Sequence, residues 1–185
     1  MNIIGGTLKG KKLITLEGKD TRPTLTRIKE NIFNILQNYS QFTDLIVVDV
    51  FAGSGSLALE SLSRQAKFAY LNDSNLEACK IIKRNIANCR FDKITLVSNV
   101  DYQTFFKTFK TKLDLLFIDP PFADITCQQW ILDYCQKHNL LNPKALIVLE
   151  TNVYLKDLSL NSDFTILSEK KYGKIYITII QYQKQ

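Results

Sequence analysis

The sequence is poor in the residues that build metal centres and membrane spans. It holds one histidine, His138, and four cysteines among 185 residues. Cys79, Cys89, Cys127 and Cys135 are spaced 10, 38 and 8 residues apart, with no CxxC pair and no Cys/His cluster. A zinc site needs ligands brought close together, and this spacing does not offer them. No metal is expected, and the cysteines read as reduced thiols, two of them on amphipathic helices. Long apolar runs are missing too. The longest are four or five residues, such as Leu45–Val48 and Ala145–Leu149, against the ~18 of a membrane helix. The opening MNIIGGTLKGKKL has no apolar h-region and no cleavage site, so a cytoplasmic protein is expected. No repeat or low-complexity linker is visible. At 45% hydrophobic and 23% charged residues, disorder is excluded. The length suits one compact domain, or one with a short appendage.

What is present in excess is positive charge. The net charge is +6, and the first 30 residues hold seven basic residues against three acidic ones. Such a segment attracts a polyanion. After it the chain alternates strand and helix. A hairpin or two short strands are expected at Ile3–Ile4 and Leu8–Ile14, and a helix from Thr26 with Ile28, Ile32, Ile35 and Leu36 on one face. Strands follow at Leu45–Val50, Phe68–Leu71, Ile94–Val97, Leu113–Ile118 and Ala145–Leu149, with helices between them. Phe164–Lys170 and Lys174–Gln181 alternate around Tyr172-Gly173, which reads as an antiparallel hairpin. Near-continuous apolar strands joined by helices imply an α/β fold with a parallel sheet covered on both faces. The composition shift near residue 41 divides the chain into a basic extension, 1–40, and an α/β domain, 41–185.

Two segments carry chemistry. In Val47–Glu60 a buried strand ends at Asp49 and passes through Phe51-Ala52-Gly53-Ser54-Gly55 into a helix. Glycines there let the backbone approach a ligand, and the helix start presents free N–H groups. Gly53-x-Gly55-x-x-Ala58, with Asp73 twenty residues after Gly53, also fits a dinucleotide fingerprint. A carboxylate at Asp49 would repel a pyrophosphate and suits an ammonium, so S-adenosylmethionine fits better than NAD. Asp73 and Asp101 follow two further strands. One can accept ribose hydroxyls and the other an adenine amino group, although either can equally cap a helix. The sharper signal is Asp119-Pro120-Pro121-Phe122 after the strand Leu115–Ile118. Two prolines stiffen the loop and free its carbonyls. Asp119 and a proline carbonyl would accept the two N–H groups of a nucleobase amine, with Phe122 as a stacking face.

At this point the chain resembles a known family. FAGSG with (D/N)PP(F/Y) marks class I methyltransferases of exocyclic amino groups. IIGGTLKGKKL, TRPTLTRIKENIFNIL, DVFAGSGSLALESLSRQA, LLFIDPPF and KKYGKIYITI together look like the RsmD-type 16S ribosomal RNA guanine-N2 methyltransferases. The resemblance runs from Ile3 to about Ile180. It implies a Rossmann-like class I fold, with a seven-stranded, mostly parallel sheet, a C-terminal antiparallel hairpin and a small N-terminal extension. It implies S-adenosylmethionine as cofactor and 16S RNA as partner, within an assembling small subunit. The site residues would be Asp119, Pro120, Pro121 and Phe122 for the base. Asp49, Phe51, Ala52, Gly53, Ser54, Gly55, Asp73 and Asp101 would hold the cofactor. Lys9, Lys11, Lys12, Arg22 and Arg27 are the candidates for RNA phosphates. For Arg27 and Lys29 a solvent-facing charge is the competing reading. His138 reads as solvated and Trp130 as core packing. The chain departs from the family at Asp73-Ser74-Asn75, where Glu-x-Asp is usual, and holds only five arginines. An N6-adenine methyltransferase, a NAD-dependent oxidoreductase and a non-catalytic RNA-binding module are the rivals.

Overall fold

Continuous apolar strands need cover on both faces, and that requirement organises the chain. The computed structural model describes residues 1–16, 23–120, 125–151 and 158–183. Among these, α1 (Pro23–Leu36) leads to β1 (Ile46–Asp49), α2 (Ser56–Ser63), β2 (Phe68–Asn72), α3 (Leu76–Cys89) and β3 (Thr95–Ser98). Then come α4 (Tyr102–Thr108), β4 (Leu113–Ile118), α5 (Ile125–Lys137), β5 (Leu141–Thr151), β6 (Phe164–Tyr172) and β7 (Ile175–Tyr182). The described strands form a seven-stranded sheet of order β3-β2-β1-β4-β5-β7-β6. Its first five strands pair in parallel, and the β6–β7 hairpin adds antiparallel to β5.

The two faces carry separate apolar clusters. On one, Ile28, Phe33, Leu59 and Ile82 from α1, α2 and α3 pack with Val47 and Phe117. On the other, Phe106, Ile131 and Cys135 from α4 and α5 pack with Val48, Leu116 and Ile147. Each such side chain contributes roughly 1.5–3 kcal/mol when fully buried. All four cysteines are buried and free, and all four sit on α3 or α5, two more on helices than expected. β5 begins four residues before the expected strand, and its register against β4 slips between Leu113 and Leu115. Lys144 there has a φ of 66°, so a bulge rather than a loop accommodates Asn142-Pro143. β6 closes the sheet with an exposed, charged edge, Glu169-Lys170-Lys171, which discourages further pairing.

Residues 1–16 form only the rudiment of the expected hairpin. They make one isolated bridge, Asn2 to Lys12, around a 3-10 turn at Gly6–Leu8. The Ile3 and Leu13 N–H groups donate to the Lys11 and Met1 carbonyls and the Gly10 N–H to that of Ile3, while other backbone groups bond to side chains of α2 and α3. The Ile4 N–H donates to Glu60 Oε2 (2.7 Å) and the Leu8 N–H to Ser63 Oγ (2.9 Å). Asn85 closes a two-way pair with Ile14, at 2.8 and 2.9 Å. Gly6 fits so closely that a Cβ would lie 1.8 Å from the Ser63 carbonyl oxygen. Ile3 and Leu13 consequently join the same apolar cluster as Val47 and Leu59.

Glu60, fully buried, anchors this packing. It pairs with Lys29 at 3.3 Å and Arg64 at 3.0 Å. Lys29 is therefore not a solvent-facing charge: it is 2% exposed and also donates to the Asn2 carbonyl (2.7 Å). Burial lowers its pKa, and the Glu60 charge opposes that shift. Replacing Glu60 by Ala strands two cations in the interior, so Glu60→Ala should lose about 3–5 kcal/mol of unfolding free energy. Urea titration measures this, and a loss below about 1 kcal/mol, typical of an exposed pair, would contradict the role.

Candidate active site

Strand order reverses between β1 and β4, and in such sheets a crevice opens outside the carboxyl ends of those strands. A cleft of about 510 Å³ lies there. A larger hollow, about 630 Å³, is lined by Gly6, Gln37, Phe42 and Arg64 among others. It holds no carboxylate and no residue of the glycine loop, so size alone does not mark the site.

The floor of the cleft is the loop after β1. Phe51, Ala52, Gly53 and Ser54 line it. Gly53 has a φ of +57°, and a Cβ there would meet nothing within 4 Å. The space above it is open to a ligand, while the backbone conformation itself resists a side chain. Asp73 orients the loop, accepting from the Gly53 N–H at 2.8 Å and the Asn75 N–H at 2.8 Å. A carboxylate has about four acceptor positions, so Asp73 retains capacity for a ligand hydroxyl. Asn75 caps α3, accepting from Glu77 and Ala78. From the other side Asn85 holds the Ser54 carbonyl at 2.9 Å. Asn72, at the end of β2, donates to the carbonyls of Val50 and Val100 (3.2 and 3.0 Å) and accepts from Ser98. It therefore ties the ends of three adjacent strands together.

Asp49, Asp119 and Glu150 face this cleft from the ends of β1, β4 and β5, with Pro120 beside them. Asp49 is 2% exposed, and its pKa is pushed up to about 8. Burial is the main cause and the Asp119 charge the next, while the Ala58 N–H pulls downward. Glu150 is likewise raised to about 8, by burial first and then by Asp119. The remaining wall comes from the N-terminal segment and α1, through Thr15, Leu16, Ile28 and Lys29. A buried acceptor, an open glycine cradle and unspent acceptors on Asp73 together suit a ligand with an ammonium and a sugar.

The structure brings Asp49, Phe51, Ala52, Gly53, Ser54, Asp73, Asp119 and Pro120 into one cleft. Gly55 is not in its lining and serves as the left-handed N-cap of α2. Asp101 also stands outside the lining. It is exposed and caps α4, accepting from the Thr104 N–H and hydroxyl at 2.9 and 2.6 Å. The Thr104 hydroxyl is the main reason its pKa is lowered. Pro121, Phe122 and Arg22 lie outside the described residues. Lys9, Lys11, Lys12 and Arg27 are exposed. Trp130 is half-buried and stacks on Tyr134 (4.8 Å), and exposed His138 stacks on the same ring (4.1 Å). Sequence reasoning missed Glu150, Lys29, Asn72 and Asn85. Glu150 ends the apolar run Ala145–Leu149 as Asp119 ends its own, so the pattern that found one acid could have found the other.

Comparison with known proteins agrees with this geometry. A family model described as conserved hypothetical protein 95 matches residues 1–181. The ribosomal RNA small subunit methyltransferase D of Haemophilus influenzae is 34% identical, over 98% of this chain and 93% of that protein. Its Escherichia coli namesake is 29% identical, over 100% and 91%. A solved Escherichia coli structure, provisionally named methyltransferase yhhF, superposes with a TM-score of 0.86 at 27% identity, covering 100% of this chain and 99% of that one.

Asp49 makes a pH-dependent contribution to stability. Its folded pKa of about 8 lies above the ordinary carboxylate value, so folding favours the protonated form. That contribution is full below about pH 4 and is lost as pH rises towards 8. Asp49→Asn, which cannot ionise, should match the parent near pH 4 and gain in relative Tm steadily between pH 5 and 8. Thermal melts across that range test this, and parallel profiles would refute it.

Proposed function

The chain belongs to the family described as conserved hypothetical protein 95, and we propose that it methylates the exocyclic N2 of one guanine in small-subunit 16S ribosomal RNA, using S-adenosylmethionine. The observation that carries this reading is the meeting of the glycine loop with Asp119-Pro120 in a single cleft. The names of the relatives add the RNA: both curated relatives are ribosomal RNA small subunit methyltransferases.

S-adenosylmethionine supplies an electrophilic methyl on a sulfonium. The protein's own task is alignment, which can account for several kcal/mol of barrier lowering. Asp49 takes the ammonium, whose charge draws the buried carboxyl into its ionised form. Asp73 accepts ribose hydroxyls. Asp119 and the Pro120 carbonyl accept the two N–H groups of the guanine amine. Those bonds turn its lone pair out of the ring plane and stabilise the positive charge that develops on nitrogen. Transfer would exchange the sulfonium's S–CH3 bond for an N2–CH3 bond, with the displaced N2 proton released to solvent. The base must be unstacked to reach the cleft, with Phe122 as its stacking partner.

Residues 1–40 serve as the RNA-contacting extension and 41–185 as the methyltransferase domain. Lys9, Lys11, Lys12, Arg22 and Arg27 contact phosphates. Supporting this, Lys12 lies near enough to the Met1 amino group, itself in the cleft wall, to help lower its pKa. The basic surface therefore begins at the cleft mouth. The substrate is the subunit during its assembly.

The deciding experiment is transfer of labelled methyl to small subunits and to free 16S RNA lacking the modification, followed by nucleoside analysis and mapping. Label in N2-methylguanosine is expected; label in N6-methyladenosine, or none, would overturn the reading. Asp119→Ala should reduce turnover at least a thousandfold with cofactor affinity kept within about threefold, by calorimetry. Lys11→Ala with Lys12→Ala should weaken RNA binding and reduce the salt slope by about 2. An unchanged slope would remove those contacts.

A further inference from the structure

We propose that Glu150 selects guanine, by accepting the ring N1–H while Asp119 accepts the neighbouring amine. The inference rests on the amine-binding role given to Asp119 above. β4 and β5 run parallel with Ile118 opposite Leu149, so the next residues, Asp119 and Glu150, stand side by side towards the carboxyl ends of these strands. Both line the cleft. The Glu150 backbone is fixed twice: it pairs with Ile177 on β7, and its carbonyl accepts from Nε2 of fully buried Gln128 at 2.6 Å. Its carboxylate makes no hydrogen bond or ion pair with any described residue, and it is not sealed off among the buried unpartnered atoms. A rigid strand thus presents an uncommitted acceptor to the cleft, next to the one that holds the amine.

Base chemistry gives this arrangement a meaning. Guanine presents its 2-amino group and N1–H side by side, two donors in a row. Adenine and cytosine present an amino group beside a ring nitrogen lone pair. Two adjacent carboxylates match the first edge and repel the second. Glu150 must be ionised for this selection, and its surroundings in the free protein do not favour that form. Asp119 and burial both oppose its ionisation. Of the cations in the cleft wall, Lys29 is committed to Glu60 and the Asn2 carbonyl, and neither it nor the Met1 amino group offsets that shift. A ring N–H brought to Glu150 favours its carboxylate form.

The test uses the mapped target RNA, assembled into subunits, with the target residue either guanosine or 2,6-diaminopurine riboside. The analogue keeps the 2-amino group but carries a lone pair at N1. The parent protein should prefer guanosine by about 100-fold or more in kcat/KM, since a site built around a donor rejects an analogue lacking it. Glu150→Gln can accept from guanine or donate to the analogue, and should narrow the preference to within about tenfold. Equal rates of the parent protein on both RNAs would overturn the proposal without any variant. So would an unchanged preference in Glu150→Gln that still binds S-adenosylmethionine. Failure of the parent to methylate even the guanosine RNA would instead sink the underlying function, and this proposal with it.

Discussion

The cleft depends on the buried carboxylate of Glu60. A parallel sheet provides a crevice where its strand order reverses, but the sheet edge and its following loops form only part of the enclosure. The remaining wall here is the N-terminal segment with α1, and Glu60 holds both. It accepts from the Ile4 N–H, pairs with Lys29 on α1, and pairs with Arg64 one helical turn along α2. Lys29 passes the connection on to the Asn2 carbonyl. Arg64 lies over the Phe33 and Phe42 rings at 4.9 and 5.8 Å, so the network also reaches the apolar cluster. Burying three charges is unfavourable unless every one is satisfied, and here one carboxylate meets two cations and an amide. The arrangement places the basic segment and the glycine loop on either side of one opening.

Inside that opening the electrostatics run the other way. Asp49, Asp119 and Glu150 crowd the carboxyl ends of three neighbouring strands, and two of them are raised to about 8. Such crowding is unfavourable in the free protein, and the groups that relieve it are an ammonium and N–H donors. The two halves of the proposed ternary complex bring those groups. In that complex the cofactor ammonium would lie at Asp49 and the base edge at Asp119 and Glu150. An ammonium among these carboxyls would favour their ionised forms, and N–H donors brought by the base would then meet stronger acceptors. Coupling between cofactor and base then follows from Coulomb's law and requires no movement of the fold.

Much of this was legible in the sequence. Apolar runs ending in acids located β1, β2 and β4 within a residue or two, because strands buried on both faces have no polar alternation to confuse them. The glycine loop and Asp119-Pro120 were legible because their residue types have few other uses at a strand's end. What sequence could not show was tertiary. Lys29 reads as a helix-surface charge, since nothing local reveals Glu60 opposite it. The first 16 residues read as a hairpin and pair as a rudimentary one, but their pattern does not disclose that side chains of α2 and α3 take several of their backbone groups. Gly55 and Asp101 were grouped with the cleft from their order along the chain, yet in the fold both act at helix starts.

The Asn75 departure shows how such a replacement can be tolerated. Its N–H bonds one oxygen of Asp73, while its side chain accepts from Glu77 and Ala78 at the start of α3. A helix cap needs an acceptor of the right length, and Asn supplies one about as well as Asp. What an acid would add is charge, and it would add it next to Asp73 at an edge already crowded with carboxylates. The amide keeps Asp73 oriented towards the glycine loop and spares it another negative neighbour. The change therefore keeps the bonds that hold Asp73 to Gly53 and removes only a charge that this geometry does not use.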